Sequence, residues 1–206
     1  MGLLLIILAV VFQALAYYKY FLKTWKSTIA PNKWSWLIWS ITTAIETWTY
    51  HEVSSDWFKT TVFLFSSVCC LVTSILIWKK SKWRPLHWKK DLDGSHDRYE
   101  IISITVCLLS IPAWFHSAWW AHVITLTSLV IAFLPTYKNA WENYTQEDTP
   151  SWTLWSIGDL LQIGVVTYYF IDMKELPYAV LEFLCHLLVA LIVLQRKMRF
   201  KKHMLA

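Results

Sequence analysis

The chain is 206 residues long, 56% hydrophobic and only 16% charged, with 15 tryptophans and a formal net charge of +5. Soluble domains carry about 25% charged and about 45–50% apolar residues, so an ordinary soluble fold is excluded, as are disorder, collagen and a disulfide scaffold. The mean hydropathy of +0.39 is modest for a membrane protein, because Trp and Tyr score near or below zero although both suit membrane interfaces.

Seven apolar stretches follow one another at 2–19, 34–50, 60–78, 100–115, 118–136, 152–171 and 177–195. At about 20 residues per crossing they predict an all-α integral membrane protein with seven transmembrane helices. The first stretch ends in Ala14-Leu15-Ala16, which has the look of a cleavage site, but no basic residue precedes Lys19. A signal peptide needs a basic n-region, so a retained helix is expected. Ile6 breaks the myristoylation pattern that Gly2 would open. The fourth and fifth stretches are separated only by Phe115-His116-Ser117. Together they are too long for one crossing of a ~30 Å core, and Pro112 favours a break, so two helices are expected. Asn143-Tyr144-Thr145, in the fifth loop, matches a glycosylation acceptor. Cys69, Cys70, Cys107 and Cys185 all fall inside apolar stretches without zinc-like spacing, and read as buried free thiols.

The basic residues are sorted. The first loop (Lys19, Lys23, Lys26, Lys33), the third (Lys79 to Arg98), the fifth (Lys138) and the C-terminal tail (Arg196 to Lys202) hold 17 of the 19. Only Lys59 and Lys174 fall in the even loops. By the positive-inside rule the rich side is cytoplasmic, which puts the N-terminus outside and the C-terminus inside a plasma or inner membrane. The net charge is thereby an orientation signal, and no nucleic-acid partner is implied.

An internal repeat is visible. Ser35-Trp36-Leu37-Ile38-Trp39-Ser40-Ile41 matches Ser151-Trp152-Thr153-Leu154-Trp155-Ser156-Ile157 at an offset of 116, and Trp25 with Trp141, Cys69 with Cys185 and Leu71 with Leu187 keep the same register without a gap. The offset pairs helices 1–3 with helices 5–7 and leaves helix 4 over. Three crossings invert the chain, so one extra helix is needed before a second triplet can run parallel to the first. The expected organisation is 3+1+3: a triple-helix repeat over 1–78, a basic loop and linker helix over 79–117, a second triple-helix repeat over 118–195 and a basic tail over 196–206. Parallel repeats of this kind are related by an axis along the membrane normal and place their site at the repeat interface near the midplane.

In this plan the chain resembles the PQ-loop and SWEET transporter superfamily, whose plan the PnuC-type vitamin transporters share. Phe133-Leu134-Pro135-Thr136-Tyr137-Lys138-Asn139 is similar to the start of a PQ-loop, and Ser151-Trp152 resembles the serine stretch that opens the next helix. Thr136 stands where Gln is usual, and the first repeat has no Pro-Gln. The resemblance implies a seven-helix transporter with its N-terminus outside.

Three carboxylates lie within the stretches: Glu46, Asp159 and Glu182. An ionisable group there costs at least ~2.5–3.5 kcal/mol at the membrane centre, so such groups usually face a cavity and serve a function. Trp36, Trp39, Thr43 and Glu46 share one stripe of helix 2, and Trp152, Trp155, Asp159 and Gln162 share the equivalent stripe of helix 6. His186 follows Glu182 at i+4, on one helix face. Trp39, Thr43, Glu46, Trp155, Asp159 and Gln162 are the candidate substrate-binding residues. Asp159, Glu46, Glu182 and His186 are the candidate proton-coupling groups, since desolvation raises a carboxyl pKa. Aromatic faces beside carboxylates suit a planar, sugar-like or cationic solute. An interfacial aromatic belt is the competing account of the Trp residues, the stronger one for Trp34, Trp36 and Trp152. His122 reads as a satisfied interior histidine, Pro112 as a kink and Pro135 as a hinge. Haem ligation by His122 and His186, retinal attachment, phosphate loops and hydrolase elbows lack support, and neither a metal nor another cofactor is implied.

The expected function is a carrier or facilitator for a small polar organic molecule such as a sugar, vitamin or amine, possible proton coupling included, with its site between helices 2 and 6. The partners are the lipid bilayer and the solute; a complete 3+1+3 unit does not require oligomerisation. One alternative is a receptor or assembly protein on the same fold. The other is a membrane enzyme acting on lipid or quinone, with Glu182 and His186 as acid and base.

Overall fold

The computed structural model describes the backbone of residues 1–81 and 96–204, and the side chains of 1–80 and 102–200. The described residues are all-helical. Seven α-helices run in chain order: α1 (Gly2–Trp25), α2 (Lys33–Ser54), α3 (Trp57–Ser81), α4 (His96–Trp114), α5 (Ala118–Glu142), α6 (Thr149–Tyr168) and α7 (Leu176–Met204). Single 3₁₀ turns at Tyr144–Gln146 and Met173–Glu175 precede α6 and α7. Most of the basic loop between α3 and α4 lies outside the described residues.

Local chemistry sets the boundaries. Asn32 caps α2 by accepting from the Trp34 and Ser35 amides. Ser55, at φ 50°, ends α2 in the left-handed region, and Asp56 then opens α3 by accepting from the Phe58 and Lys59 amides. Asp148 caps α6 through the Ser151 amide, with Pro150 in the first turn, where its missing N–H costs nothing. The break between α4 and α5 falls at His116-Ser117. Pro112 and Pro135 lie inside α4 and α5, whose helical assignment continues through both.

Four helices, α1, α3, α5 and α7, are long and apolar enough to cross a membrane. α1, α3 and α7 present Leu, Ile and Val on their outer faces, including Leu4, Ile7, Val11, Val68, Leu188 and Leu191, whereas α5 is covered by α4. Such continuous apolar exposure is characteristic of a surface solvated by lipid. The apolar part of α4, Ile102–Trp114, is shorter. α2 and α6 are long enough but diluted by Trp, Ser and Thr. Their hydroxyls are satisfied within the helix: Ser40 donates to the Trp36 carbonyl, Thr43 to Trp39, Thr47 to Thr43 and Ser156 to Trp152. This back-bonding lets a polar helix sit in the interior.

The six helices other than α4 pack in the cyclic order α1, α3, α2, α5, α7, α6 and back to α1; α4 packs mainly on α5. Gly158 of α6 admits the Gln13 side chain of α1, since a Cβ there would meet it at 3.0 Å. Contacts define two poles. At one, Lys23 of α1 pairs with Asp148 before α6, Lys33 of α2 lies over Trp78 of α3, Lys80 lies over Trp25, and Arg196 of α7 lies over Trp141 of α5. This basic pole therefore gathers the ends of α1, α3, α5 and α7 with the starts of α2 and α6. At the opposite pole the Lys59 ammonium of α3 is fully buried, 2.6 Å from Glu175 and 2.9 Å from the Tyr169 carbonyl.

Candidate functional site

Aromatic rings fill the interior between the α1–α3 and α5–α7 segments. Trp36, Trp39, Trp152 and Trp155 are each at most 5% exposed. Their ring centroids lie 4.9–6.1 Å apart in tilted and edge-to-face pairs, the geometry aromatic quadrupoles favour. Trp36 and Trp152 thus depart from the expected interfacial belt. They face inward because their partners, Tyr20 and Phe133, are buried rings on neighbouring helices. Trp34 is half-exposed against Trp78, as a belt residue would be.

These rings enclose a cavity whose free space is about 20 Å³, room for about one water. Its wall obeys the repeat. Tyr17 and Phe133, Trp36 and Trp152, Trp39 and Trp155, and Cys70 and His186 are four lining pairs, each separated by 116 positions. Thr43, Leu129 and Glu182 complete the wall. Their counterparts at the same offset are Asp159, Gln13 and Ser66, which lie one layer behind. Asp159 accepts from Gln13 Nε2 and from His186 Nδ1, both at 2.6 Å. Ser66 and the Tyr17 hydroxyl are 2.9 Å apart.

The two halves of the wall differ in charge. The first copy contributes Thr43, Ser66 and Cys70; the second contributes Asp159, Glu182 and His186 at the equivalent positions. No Lys or Arg is among the described residues lining the cavity.

Several expected site residues move. Trp39, Thr43 and Trp155 line the cavity as anticipated by their shared stripes. Asp159 reaches it only through His186, whose ring stacks on Trp155 with centroids 5.7 Å apart. Glu182 and His186, on one face of α7, both line the cavity; His186 Nδ1 lies 2.6 Å from Asp159 on the adjacent helix, and Glu182 lies beside Tyr178. Glu46 lies outside the lining and is buried 2.6 Å from His122 Nδ1, tying α2 to α5. Gln162 is also outside it and donates to the Lys59 carbonyl at 3.0 Å. Pro135 is buried in α5 and does not line the cavity.

Stripe reasoning on two helices missed Tyr17, Gln13 and Cys70. The offset of 116 carried the signal for two of them, since it sets Tyr17 against Phe133 and Cys70 against His186. It also sets Lys59 against Glu175, the buried ion pair of the far pole.

On the basic pole the aromatic cluster ends in a polar knot. The buried Glu147 carboxylate accepts from Trp152 Nε1 and Asn139 Nδ2, both at 3.0 Å, and from the Tyr20 hydroxyl at 3.3 Å. Burial pushes its pKa up to about 7, against the stabilising hydrogen bonds from Trp152, Asn139 and Tyr20. It thereby ties α1, α5 and α6 together beneath the cavity. Compared with known proteins, the chain matches no family model, no curated protein and no solved structure.

Proposed function

We propose that the chain is a seven-helix membrane carrier for a small polar organic solute, built as two parallel triplets, 1–78 and 118–195, joined through α4. One observation carries the reading: the cavity lies between the two sequence-related triplets and is walled by residues paired at the repeat offset. The cyclic packing supports it, because exchanging α1 with α5, α2 with α6 and α3 with α7 turns the ring into itself. Only an axis running between the triplets does that, and sites of repeat transporters lie on such an axis. α2, α4 and α6 would cross the membrane shielded by their neighbours, which relaxes the apolarity demanded of them. Basic residues gathered at one pole support a cytoplasmic assignment for it.

The cavity is closed at both poles by contacts between the triplets. Lys23–Asp148 and Tyr20–Glu147 join them on the basic side; Lys59–Glu175 and Glu46–His122 join them on the other. Rocking one triplet against the other would break these sets alternately. Asp159, held between Gln13 and His186, is the proton-binding group of the scheme, and the test is uptake into proteoliposomes by Asp159→Asn. Loss of pH-dependent uptake in a folded variant is the expected outcome; unchanged transport and pH dependence removes Asp159 from the mechanism.

The tightness of the cavity favours a second reading, a receptor that senses a ligand in the same place without moving it. Binding without flux would select it.

A further inference from the structure

The chemistry of the wall narrows the ligand class. The inference rests on the cavity being the solute site. Six aromatic side chains, those of Tyr17, Trp36, Trp39, Phe133, Trp152 and Trp155, supply most of the surface. Ring faces carry negative charge density and attract cations. Glu182 is 5% exposed and faces the cavity. Asp159 lies behind His186, so two carboxylates are set against one imidazole, with no Lys or Arg among the described lining residues. An anionic solute would find no cationic Lys or Arg side chain among the described residues of this wall to pair with.

A polyol fits no better. Each buried hydroxyl left without a partner costs about 1–3 kcal/mol, and apart from Thr43, Cys70, Glu182 and His186 the wall offers little but rings. The orphaned donors are specific. Trp152 donates its N–H to Glu147, whereas the buried Nε1 atoms of Trp39 and Trp155 have no hydrogen-bond partner. These two are repeat equivalents on α2 and α6, and both line the one cavity. Buried donors in native proteins are nearly always satisfied, so a pair of them in a cavity points to an acceptor on the ligand.

We propose that the cavity, once widened by the parting of the two triplets, takes an organic monocation that also bears a hydrogen-bond acceptor, its charge set among the rings and facing Glu182, its acceptor meeting an indole N–H of the Trp39–Trp155 pair. A small quaternary ammonium alcohol and its acetate ester are the probe types this describes.

The test is equilibrium binding to the purified full chain in detergent, comparing each cation with its uncharged isostere: choline with dimethylbutanol, and acetylcholine with dimethylbutyl acetate. Glucose and acetate serve as polyol and anion. At least one cation is expected to bind at least about tenfold more tightly than its isostere, glucose and acetate. Glu182→Gln is expected to lower the ratio of cation to isostere affinity, and Trp155→Phe to weaken choline without abolishing the charge preference. The wild-type comparison stands even where a variant fails to fold. Equal binding of cation and isostere, tighter binding of glucose or acetate, or no cation binding below about 10 mM would overturn the proposal. Uptake of the bound cation into proteoliposomes is measured separately. A cation that binds but is not transported leaves the ligand class standing and removes the carrier reading; glucose transport without cation binding does the reverse.

Discussion

A single buried carboxylate gives the most direct test of the basic pole. Glu147 is pushed up to about 7 by burial, above the usual carboxylate value of about 4.3. The sign follows from proton linkage. Between those values the folded protein keeps a proton that the unfolded chain has released, so stability falls as pH rises through the window. The cost of ionisation is fully present above about pH 7, and a shift of this size amounts to a few kcal/mol, about 1.4 per unit. The neighbouring charges are Asp148 and its partner Lys23. The expected outcome is a melting temperature in detergent that drops between pH 5 and pH 8, with a flatter profile for Glu147→Gln. Parallel profiles for the two proteins would show that Glu147 does not titrate in this window.

At the scale of elements, the ion pair between Lys59 of α3 and Glu175 before α7 is the clearest structural fastener, because both side chains are essentially fully buried. Removing one partner leaves the other charge unmatched, at a cost of about 3–5 kcal/mol, while replacing both with apolar residues is often near neutral. Lys59→Ala is therefore expected to lower the melting temperature strongly, and Lys59→Met with Glu175→Leu to recover most of the loss. A double variant as unstable as the single would show that the pair's role is specific and not electrostatic compensation.

The same elements show what could be read from sequence. The long helices were legible because their apolar runs are unbroken; the starts of α2 and α6 were not marked by apolarity, since the caps Asn32 and Asp148 lie outside the apolar runs. Extensions beyond the apolar runs, such as α1 to Trp25 and α7 to Met204, were not legible, because a helix that leaves the membrane continues on polar residues. Spacing set the Trp residues on shared stripes but favoured an interfacial belt for Trp36 and Trp152, which are buried instead. Which carboxylate met which histidine was not legible: Glu182 and His186 share one face of α7, yet the closer partner of His186 is Asp159 of α6. Neighbours on one helix are fixed by spacing, whereas neighbours across helices depend on packing that spacing leaves open.

For the molecule as a whole, the proposed orientation has a simple readout. Glu52, at the end of α2, and Asn143, after α5, are both exposed and lie toward opposite poles. In a background lacking the native thiols, Glu52→Cys is expected to react with a membrane-impermeant maleimide on intact cells, and Asn143→Cys only after permeabilisation. The reverse pattern would invert the molecule and, with it, the cytoplasmic assignment of the Glu147 knot.

The repeat pairing of the cavity wall has a further consequence for how the protein can change. In the proposed two-triplet arrangement the walls correspond position by position at the offset of 116. Thr43 opposes Asp159 in register, Ser66 opposes Glu182, and Cys70 opposes His186. The ionisable groups stand on one side, and neutral hydroxyls and a thiol on the other. The asymmetry is thus reduced to three positions per copy: transplanting the neutral triad onto the second wall would build a symmetric chamber, and transplanting the ionisable triad onto the first would rotate the chemistry by half a turn while leaving the bundle in place.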